Sequence, residues 1–306
     1  SVKQSHYEKS SQAFERQSNQ VIALITERMK KYEDSLWSGV ALFESHNKKV
    51  SHQQWRLFAN SLDISNKYQG IMGIGVIFKA DKTQLRLFES RQQQVRPHFK
   101  VYPQHDNKES WPITYIEPEI RNIKAVGLDM AHEQNRFKAL KESIFSGNAK
   151  ITAPIVLVQD QANTPGFLFY VPIYDHAPHK LASLTSSQRQ EAAIGLVYAP
   201  FIMSNLMKGT LNKENRDIGI KVLDEDSVLY DEHTQDIADF DNAPLFRKTV
   251  QIEMYGRPWT LDLRSSLDFR TERNDPLTGY FWILGLIVSA LLYLLFVNLH
   301  LANQKI

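Results

Sequence analysis

The end of the chain carries a long uncharged segment that few kinds of structure can accommodate. Residues 277–304 contain no Asp, Glu, Lys or Arg, and their centre, residues 280–297, is almost entirely apolar. About 20 apolar residues in a helix, at about 1.5 Å rise per residue, cover the roughly 30 Å hydrocarbon core of a bilayer. An aromatic cluster, Tyr280-Phe281-Trp282, opens the segment, as is typical of a membrane interface. The sequence therefore predicts a transmembrane helix over residues 277–301, with a buried helix of a soluble protein as the alternative.

The composition of the whole chain limits its partners and its chemistry. Its 306 residues favour about two domains, and 42% hydrophobic with 23% charged residues is ordinary for a chain that buries a core. The 36 basic and 34 acidic residues leave a net charge of +2, so charge indicates no nucleic-acid partner. There is no cysteine, which excludes disulfides, thiolate metal sites and cysteine nucleophiles.

An apolar heptad pattern near the start predicts one long helix over residues 3–43. Its seam residues are spaced three and four apart: Ile22, Ile25, Met29, Tyr32, Leu36, Gly39/Val40 and Phe43. Such a seam is typical of a stalk that forms a homodimer, and equally of a long helix packed on its own domain. Both interpretations stay open. A second helix is expected to begin at Ser51, which can cap it together with Gln54.

Short strands and helices alternate between the second helix and the apolar segment, which predicts an α+β fold. Each unit is expected to be a few antiparallel strands with helices on one side. We predict four parts: a long stalk helix with the second helix over 1–63, a membrane-distal unit over 64–190, a membrane-proximal unit over 191–275, and the transmembrane helix.

The sequence shows no motif of catalysis or cofactor binding. The glycines at 70, 73 and 75 lack the following Lys-Ser/Thr of a phosphate loop, and a buried strand with close backbone approaches fits them better. No catalytic triad elbow or zinc-protease signature is present, so we expect no enzyme activity, no cofactor and no metal site in this segment. His176 and His179 are too few for a metal site, and Asp129 is most simply a helix cap.

Six segments, read in order, resemble a known family. They are Gly70-Ile-Met-Gly-Ile-Gly-Val, Pro112-Ile-Thr-Tyr-Ile-Glu-Pro, Gly127-Leu-Asp-Met-Ala, Ala139-Leu through Ser146-Gly, Ile151-Thr-Ala-Pro and Gly166-Phe-Leu-Phe-Tyr-Val-Pro-Ile-Tyr. Together they resemble the CHASE domain, the extracellular sensor of plant cytokinin receptor kinases and many bacterial receptors, over roughly residues 37–200. The resemblance implies a stalk helix, two tandem PAS-like lobes, a homodimer, and a transmembrane helix that leads to a cytoplasmic output module.

The same resemblance implies a ligand pocket in the distal lobe. Carried over, its wall includes Thr152 and either Phe167 or Phe169 on the neighbouring strand. Where the plant receptors have an adenine-recognising Asp, this chain has a longer stretch in which Glu117 or Glu119 could take its place. Tyr115 could also line an apolar pocket. Each residue has a structural alternative: the threonine hydroxyl could bond to backbone, and the aromatic rings could be core.

These observations together predict a sensor that signals across a bacterial inner membrane. Residues 1–275 would be periplasmic or extracellular and joined to the membrane helix through residues 267–276, and an export or anchor segment would precede Ser1 because no signal peptide is visible. An unknown small molecule would be the ligand. The output module would follow Ile306, with a diguanylate cyclase or phosphodiesterase favoured over a histidine kinase. The alternatives are a protein-binding or scaffolding ectodomain and, less favoured, a membrane-anchored enzyme.

Overall fold

The computed structural model has the α+β architecture that the sequence predicts. It describes residues 2–176, 183–211, 216–232, 241–267, 269 and 276–303. A long N-terminal helix, antiparallel sheets and a C-terminal apolar helix are all present, which confirms the predicted fold class. His179 and most of the predicted connection at 267–276 lie outside the described residues.

Nine α-helices are described, in chain order: α1 (Val2–Ser45), α2 (His52–Leu62), α3 (Ile64–Lys67), α4 (Leu85–Gln93), α5 (Glu119–Asn122), α6 (Gln134–Ser146), α7 (Ser186–Ala192), α8 (Met203–Thr210) and α9 (Pro276–Asn303). The start of α2 is set as expected: the Ser51 hydroxyl accepts from the Gln54 backbone N–H at 3.2 Å, and the Gln54 side chain accepts from the Ser51 N–H at 2.8 Å.

The first sheet contains six antiparallel strands. In chain order they are β1 (Ile74–Phe78), β4 (Ile113–Glu117), β5 (Lys150–Ile151), β6 (Ile155–Val156), β7 (Pro165–Tyr174) and β8 (Ala193–Ile202), and they lie in the spatial order β4-β1-β8-β7-β5, with β6 also pairing β7. Two further strands, β2 (Ala80–Asp81) and β3 (Glu109–Ser110), pair separately beside it. Gly75 in β1 has no room for a side chain, because a Cβ there would meet the Tyr115 carbonyl oxygen at 2.3 Å.

The second sheet begins later in the chain than the expected boundary between the two lobes. Its four strands, β9 (Ile218–Asp224), β10 (Ser227–Asp231), β11 (Arg247–Met254) and β12 (Arg257–Ser265), are antiparallel in the order β10-β9-β12-β11. The strand predicted to open the proximal lobe, β8, instead pairs with β1 and β7 in the first sheet. A division at 190/191 therefore cuts through the first sheet, and the change of sheet falls between Ile202 and Ile218.

Both sheets share one hydrophobic core, and α1 runs along it. Alternate residues of β7 point to opposite faces: Phe167 and Phe169 belong to the core on the α1 side, whereas Leu168 and Tyr170 face a second core that includes α6 residues. The α1-side core continues into the second sheet through Trp259.

The apolar seam of α1 is buried against the chain's own sheets. Ile25, Met29, Tyr32 and Leu36 are almost wholly inaccessible and belong to the core shared by both sheets. Of the two interpretations of the heptad pattern, packing on the helix's own domain is the one that the structure shows. The residues that would form a homodimer through this seam are already covered within the chain.

The apolar C-terminal helix α9 differs from every other helix in its surroundings. Its central window, Tyr280–Val297, has a mean hydropathy of 2.4, and none of it is buried against the described residues. The alternative of a buried core helix of a soluble protein does not fit this exposure.

Replacing one seam residue of α1 by alanine tests whether the seam packs in the core or forms a dimer. We expect Met29→Ala to lower the free energy of unfolding by about 2–5 kcal/mol, because it leaves a cavity in the shared core. Leu24→Ala, at a 38% exposed position of the same helix, should change it by about 0.5 kcal/mol or less. Denaturant unfolding of the full chain in detergent, with light scattering of the folded protein, measures both effects. A Met29→Ala protein of unchanged stability and altered association state would contradict the packing described above.

Candidate functional site

Thr152 is buried, and its hydroxyl already has a backbone partner. The residue follows β5 and is 1% exposed. Its Oγ1 accepts from the Leu168 N–H at 3.0 Å, and its own N–H donates to the Leu168 carbonyl at 3.0 Å. These two bonds continue the pairing with β7 beyond the end of β5. The structural alternative for this hydroxyl, a bond to backbone, is therefore the arrangement present.

Phe167 and Phe169 connect the first sheet to the second rather than lining an open space. Phe167 stacks on Phe201 with ring centroids 5.0 Å apart and meets Trp259 edge-on at 5.7 Å. Phe169 lies 4.5 Å from the ring of Tyr255, in the turn between β11 and β12. A ligand could reach either ring only by displacing this packing.

The opposite face of the first sheet encloses almost no free volume. Between that face and α6 lies a cavity of about 10 Å³, roughly the volume of one water-sized sphere. Its walls include Met130, Arg136, Leu168 and Tyr198. The described residues around this cavity leave too little room for a small-molecule ligand there.

A large cleft lies at the edge of the distal lobe. It has a volume of about 490 Å³ and lies between α4, the segment 100–106 and the end of β3. Its lining includes the basic and polar residues Lys82, Arg86, Lys100, His105 and Ser110 and the acidic residues Glu89, Asp106 and Asp129. We call it the polar cleft.

Asp129 fixes one wall of the polar cleft. Its Oδ1 accepts from the N–H groups of Trp111 at 2.8 Å and Ala131 at 2.9 Å, so Asp129 caps a short 3₁₀ turn, whereas the helix that it was predicted to cap, α6, is capped by Glu133. Its Oδ2 lies 2.7 Å from Nε2 of His105, and the carbonyl of His105 accepts from the Lys82 ammonium. The wall is therefore held in place by bonds among its own residues.

Ser110 differs from the rest of this wall because its hydroxyl is not engaged. The residue is 1% exposed, and Oγ has no hydrogen-bond partner among the described residues. A buried hydroxyl without a partner is costly, so such groups in folded proteins usually have one. Arg86 and Lys100 lie exposed at the same cleft.

Glu117 and Glu119 come together with a residue that sequence reasoning missed. Nε2 of His52, the first residue of α2, lies 3.3 Å from Oε1 of Glu117 and 3.2 Å from Oε2 of Glu119. The His52 ring also stacks on Tyr115, at 5.2 Å between centroids. The neighbouring His52 lowers the pKa of the Glu119 carboxyl, and Arg96 acts in the same direction. No sequence motif links His52 to residues more than 60 positions later.

Two other clefts are more apolar. One, of about 420 Å³, is lined by Arg96 and Glu119 together with apolar residues of the segment 95–102 and Ile123. The other, of about 390 Å³, separates the end of α1 from the distal lobe and is lined by Trp37 and Arg189 among others. The predicted residue Glu119 thus reaches an open surface, whereas Thr152, Phe167, Phe169 and Tyr115 are all buried.

Among the described residues one helix, α9, is long and apolar enough to cross a membrane, and the sequence comparison gives the family of the chain. The sequence-family model of the CHASE domain matches residues 48–235 of the chain. The chain therefore belongs to the CHASE domain family. It is accordingly an extracellular sensor domain of a receptor. No match was found among curated protein sequences.

Two solved structures are similar at low sequence identity. The periplasmic sensory domain of the Campylobacter jejuni chemoreceptor Tlp1 has 10% identity and a TM-score of 0.43, with 84% of this chain and 93% of that chain covered. A structure described as methyl-accepting chemotaxis protein X has 8% identity and a TM-score of 0.36, with 81% and 97% covered.

The hydroxyl of Thr152 can be tested as a structural group. We expect Thr152→Val to lower the free energy of unfolding by about 1–3 kcal/mol, because the buried Leu168 N–H loses its acceptor. Thr152→Ser keeps that acceptor and should retain most of the stability. Thermal unfolding of the full chain in detergent compares the two. Equal stability of Thr152→Val and wild type would show that this bond contributes nothing.

Proposed function

We propose that the chain is the extracytoplasmic part of a bacterial inner-membrane receptor and that it binds a small polar molecule in the polar cleft. Residues 1–275 lie on the periplasmic side, and α9 crosses the membrane. The observation that carries this proposal is the buried, unpartnered hydroxyl of Ser110 in the wall of that cleft. A volume of about 490 Å³ is in the range of small-molecule sites.

The charges of the cleft indicate the kind of ligand. Of the three carboxylates that line the cleft, Asp129 and Glu89 are engaged by backbone N–H groups, at 2.8 Å from Trp111 and 2.8 Å from Val101 respectively, and Asp106 is exposed. The ammonium of Lys100 and the guanidinium of Arg86 are exposed. A ligand with a carboxylate or phosphate would bond to these cations, and an acceptor on the same molecule would satisfy Ser110.

The residues predicted from the family resemblance would act from behind this site. We propose that Thr152, Phe167 and Phe169 contribute packing rather than direct ligand contact. The support is their burial, the satisfied threonine hydroxyl and the aromatic contacts to the second sheet. Glu119 instead borders the cleft that residues of the segment 95–102 line.

Signal transfer would follow the shared core. A ligand shifts a conformational equilibrium only if it binds one state better, typically by about 1–3 kcal/mol. A movement of the distal lobe would reach α1 through the shared core and pass from α1 to the second sheet. Gln17 of α1 accepts from the Asp217 N–H at 3.0 Å and donates to the Asp217 carboxylate at 3.2 Å, directly before β9. The second sheet precedes α9 along the chain.

A homodimer and an output module complete the proposal. Because the apolar seam of α1 is covered, a dimer would use the exposed side of α1, where Tyr7 is 55% exposed. We propose a diguanylate cyclase or phosphodiesterase as the output module, with a histidine kinase next, as in bacterial members of the family. Reading the coding sequence after Ile306 tests this directly.

One observation favours a second function, a protein-binding ectodomain. Three apolar side chains are highly exposed on the distal lobe: Val95 at 65%, Ile120 at 92% and Ile123 at 59%. Clustered exposed apolar residues mark interaction sites more often than isolated ones do.

A ligand screen tests the polar cleft. We expect at least one dicarboxylate, sugar phosphate or amino acid to stabilise the full chain in detergent, by about 2.7 kcal/mol at a hundredfold excess over Kd. Arg86→Gln combined with Lys100→Gln should remove most of that stabilisation, because the cationic partners of the ligand are gone. Lys138→Gln, an exposed lysine on α6, is the matched control and should leave it unchanged. If the hit stabilises the double variant as much as wild type, the cleft is not its site.

A further inference from the structure

Three potential metal ligands converge at the junction of α2 with the first sheet. An imidazole nitrogen of His52 and one carboxylate oxygen each of Glu117 and Glu119 lie within 4.8 Å of one another. His52 opens α2, Glu117 ends β4 and Glu119 opens α5, so three separate elements bring them together. We propose that this cluster is a binding site for a divalent transition-metal cation such as Zn²⁺ or Mn²⁺. This goes beyond the proposed function and uses none of the residues of the polar cleft.

The residue types suit such a cation. One imidazole and two carboxylates are ligands that Zn²⁺ and its first-row neighbours accept, and the histidine disfavours Mg²⁺ and Ca²⁺, which prefer oxygen. Three protein ligands leave a further position for water or another molecule. The ligand atoms need only small shifts to surround an ion, because they already lie close together.

The second observation is a buried nitrogen without a hydrogen-bond partner. His52 is only 7% exposed, yet within the described part of the chain no hydrogen bond reaches its Nε2. This nitrogen is the atom that lies between the two carboxylates, at 3.3 and 3.2 Å. Oε2 of Glu119 has no hydrogen-bond partner there either. A cation would coordinate both atoms and take the place of the ion pairs between His52 and the two carboxylates, whose geometry makes no hydrogen bond.

Two arginines lie beside the cluster, and their charges affect how strongly it binds a cation. Nε of Arg56 donates to Oε1 of Glu117 at 3.1 Å, the kind of outer hydrogen bond that commonly orients a ligating carboxylate. Nη1 of Arg96 lies 4.0 Å from Oε2 of Glu119. The two guanidinium groups neutralise the carboxylates when no cation is bound and repel one that enters. Cation affinity is therefore lower than that of a structural zinc site, which suits reversible binding.

A cation here would connect parts of the molecule that matter for signalling. It would join α2, which follows α1 directly, to the end of β4 in the distal lobe. Glu119 and Arg96 also line the apolar cleft of about 420 Å³. Binding would fix α2 on the sheet and displace Arg96 from Glu119 next to that cleft, which makes the cation a second input to the sensor.

Titration of the metal-free full chain in detergent tests the site. After dialysis against EDTA and removal of the chelator, ZnCl₂ and MnCl₂ are titrated separately by calorimetry, and thermal unfolding is followed with and without metal. We expect one cation per chain and a rise in Tm that EDTA reverses. His52→Ala and Glu119→Gln should each weaken binding at least about tenfold, as loss of a ligand does. His98→Ala, a histidine outside the cluster, is the control and should bind like wild type.

The outcome is decided by the variants. Absence of binding to the wild type, or equal binding by wild type and Glu119→Gln, would overturn the proposal. A loss shared by His98→Ala would show adsorption to surface histidines and would overturn it as well. Circular dichroism without metal verifies folding; if His52→Ala is unfolded, the half-buried Glu119→Gln decides alone. The small-molecule screen uses metal-free protein, so failure of either proposal is seen independently of the other.

Discussion

The burial of one face of α1 against both sheets is the interaction on which the rest of the structure depends. Each sheet has an apolar face that is directed toward α1. The same helix buries both faces with residues such as Met29 and Leu36. Polar bonds fix the helix along its length, from Gln17 at the second sheet to Glu33, whose carboxylate accepts from the Tyr255 hydroxyl at 3.0 Å. Because packed interiors are bistable rather than continuously deformable, a rearrangement at one sheet has a direct route to the other.

The sequence was informative wherever the signal was local. The apolar segment and the capping box at Ser51 depend on neighbouring residues, and both have the predicted form. The heptad seam was ambiguous because the same spacing serves a coiled coil and a helix on its own core. The boundary at 190/191 rested on local patterns, and these do not record the pairing of β8 with β1, which joins residues more than a hundred positions apart.

The candidate sites also differ in whether the sequence alone could indicate them. Family resemblance directed attention to Glu117 and Glu119, and these two residues do lie together at the end of β4. The resemblance could not indicate His52, because its closeness to the two carboxylates depends on how α2 packs on the sheet. The ligand roles of Thr152 and Phe167 stay predictions, and their surroundings favour packing. The polar cleft brings together residues between Lys82 and Asp129 that are distant in the sequence, so its unpartnered Ser110 hydroxyl was visible only in three dimensions.

The central claim is that α1 and the two sheets form one cooperative unit, and native-state amide hydrogen exchange on the full chain in detergent tests it most directly. Under mildly destabilising conditions, the amides of β7 and β8 and those of β9 and β12 should lose protection at the same free energy, because both groups depend on the α1 core. Exchange of the second sheet at a markedly lower free energy, while the first sheet and α1 remain protected, would show two independent bodies and would contradict the account.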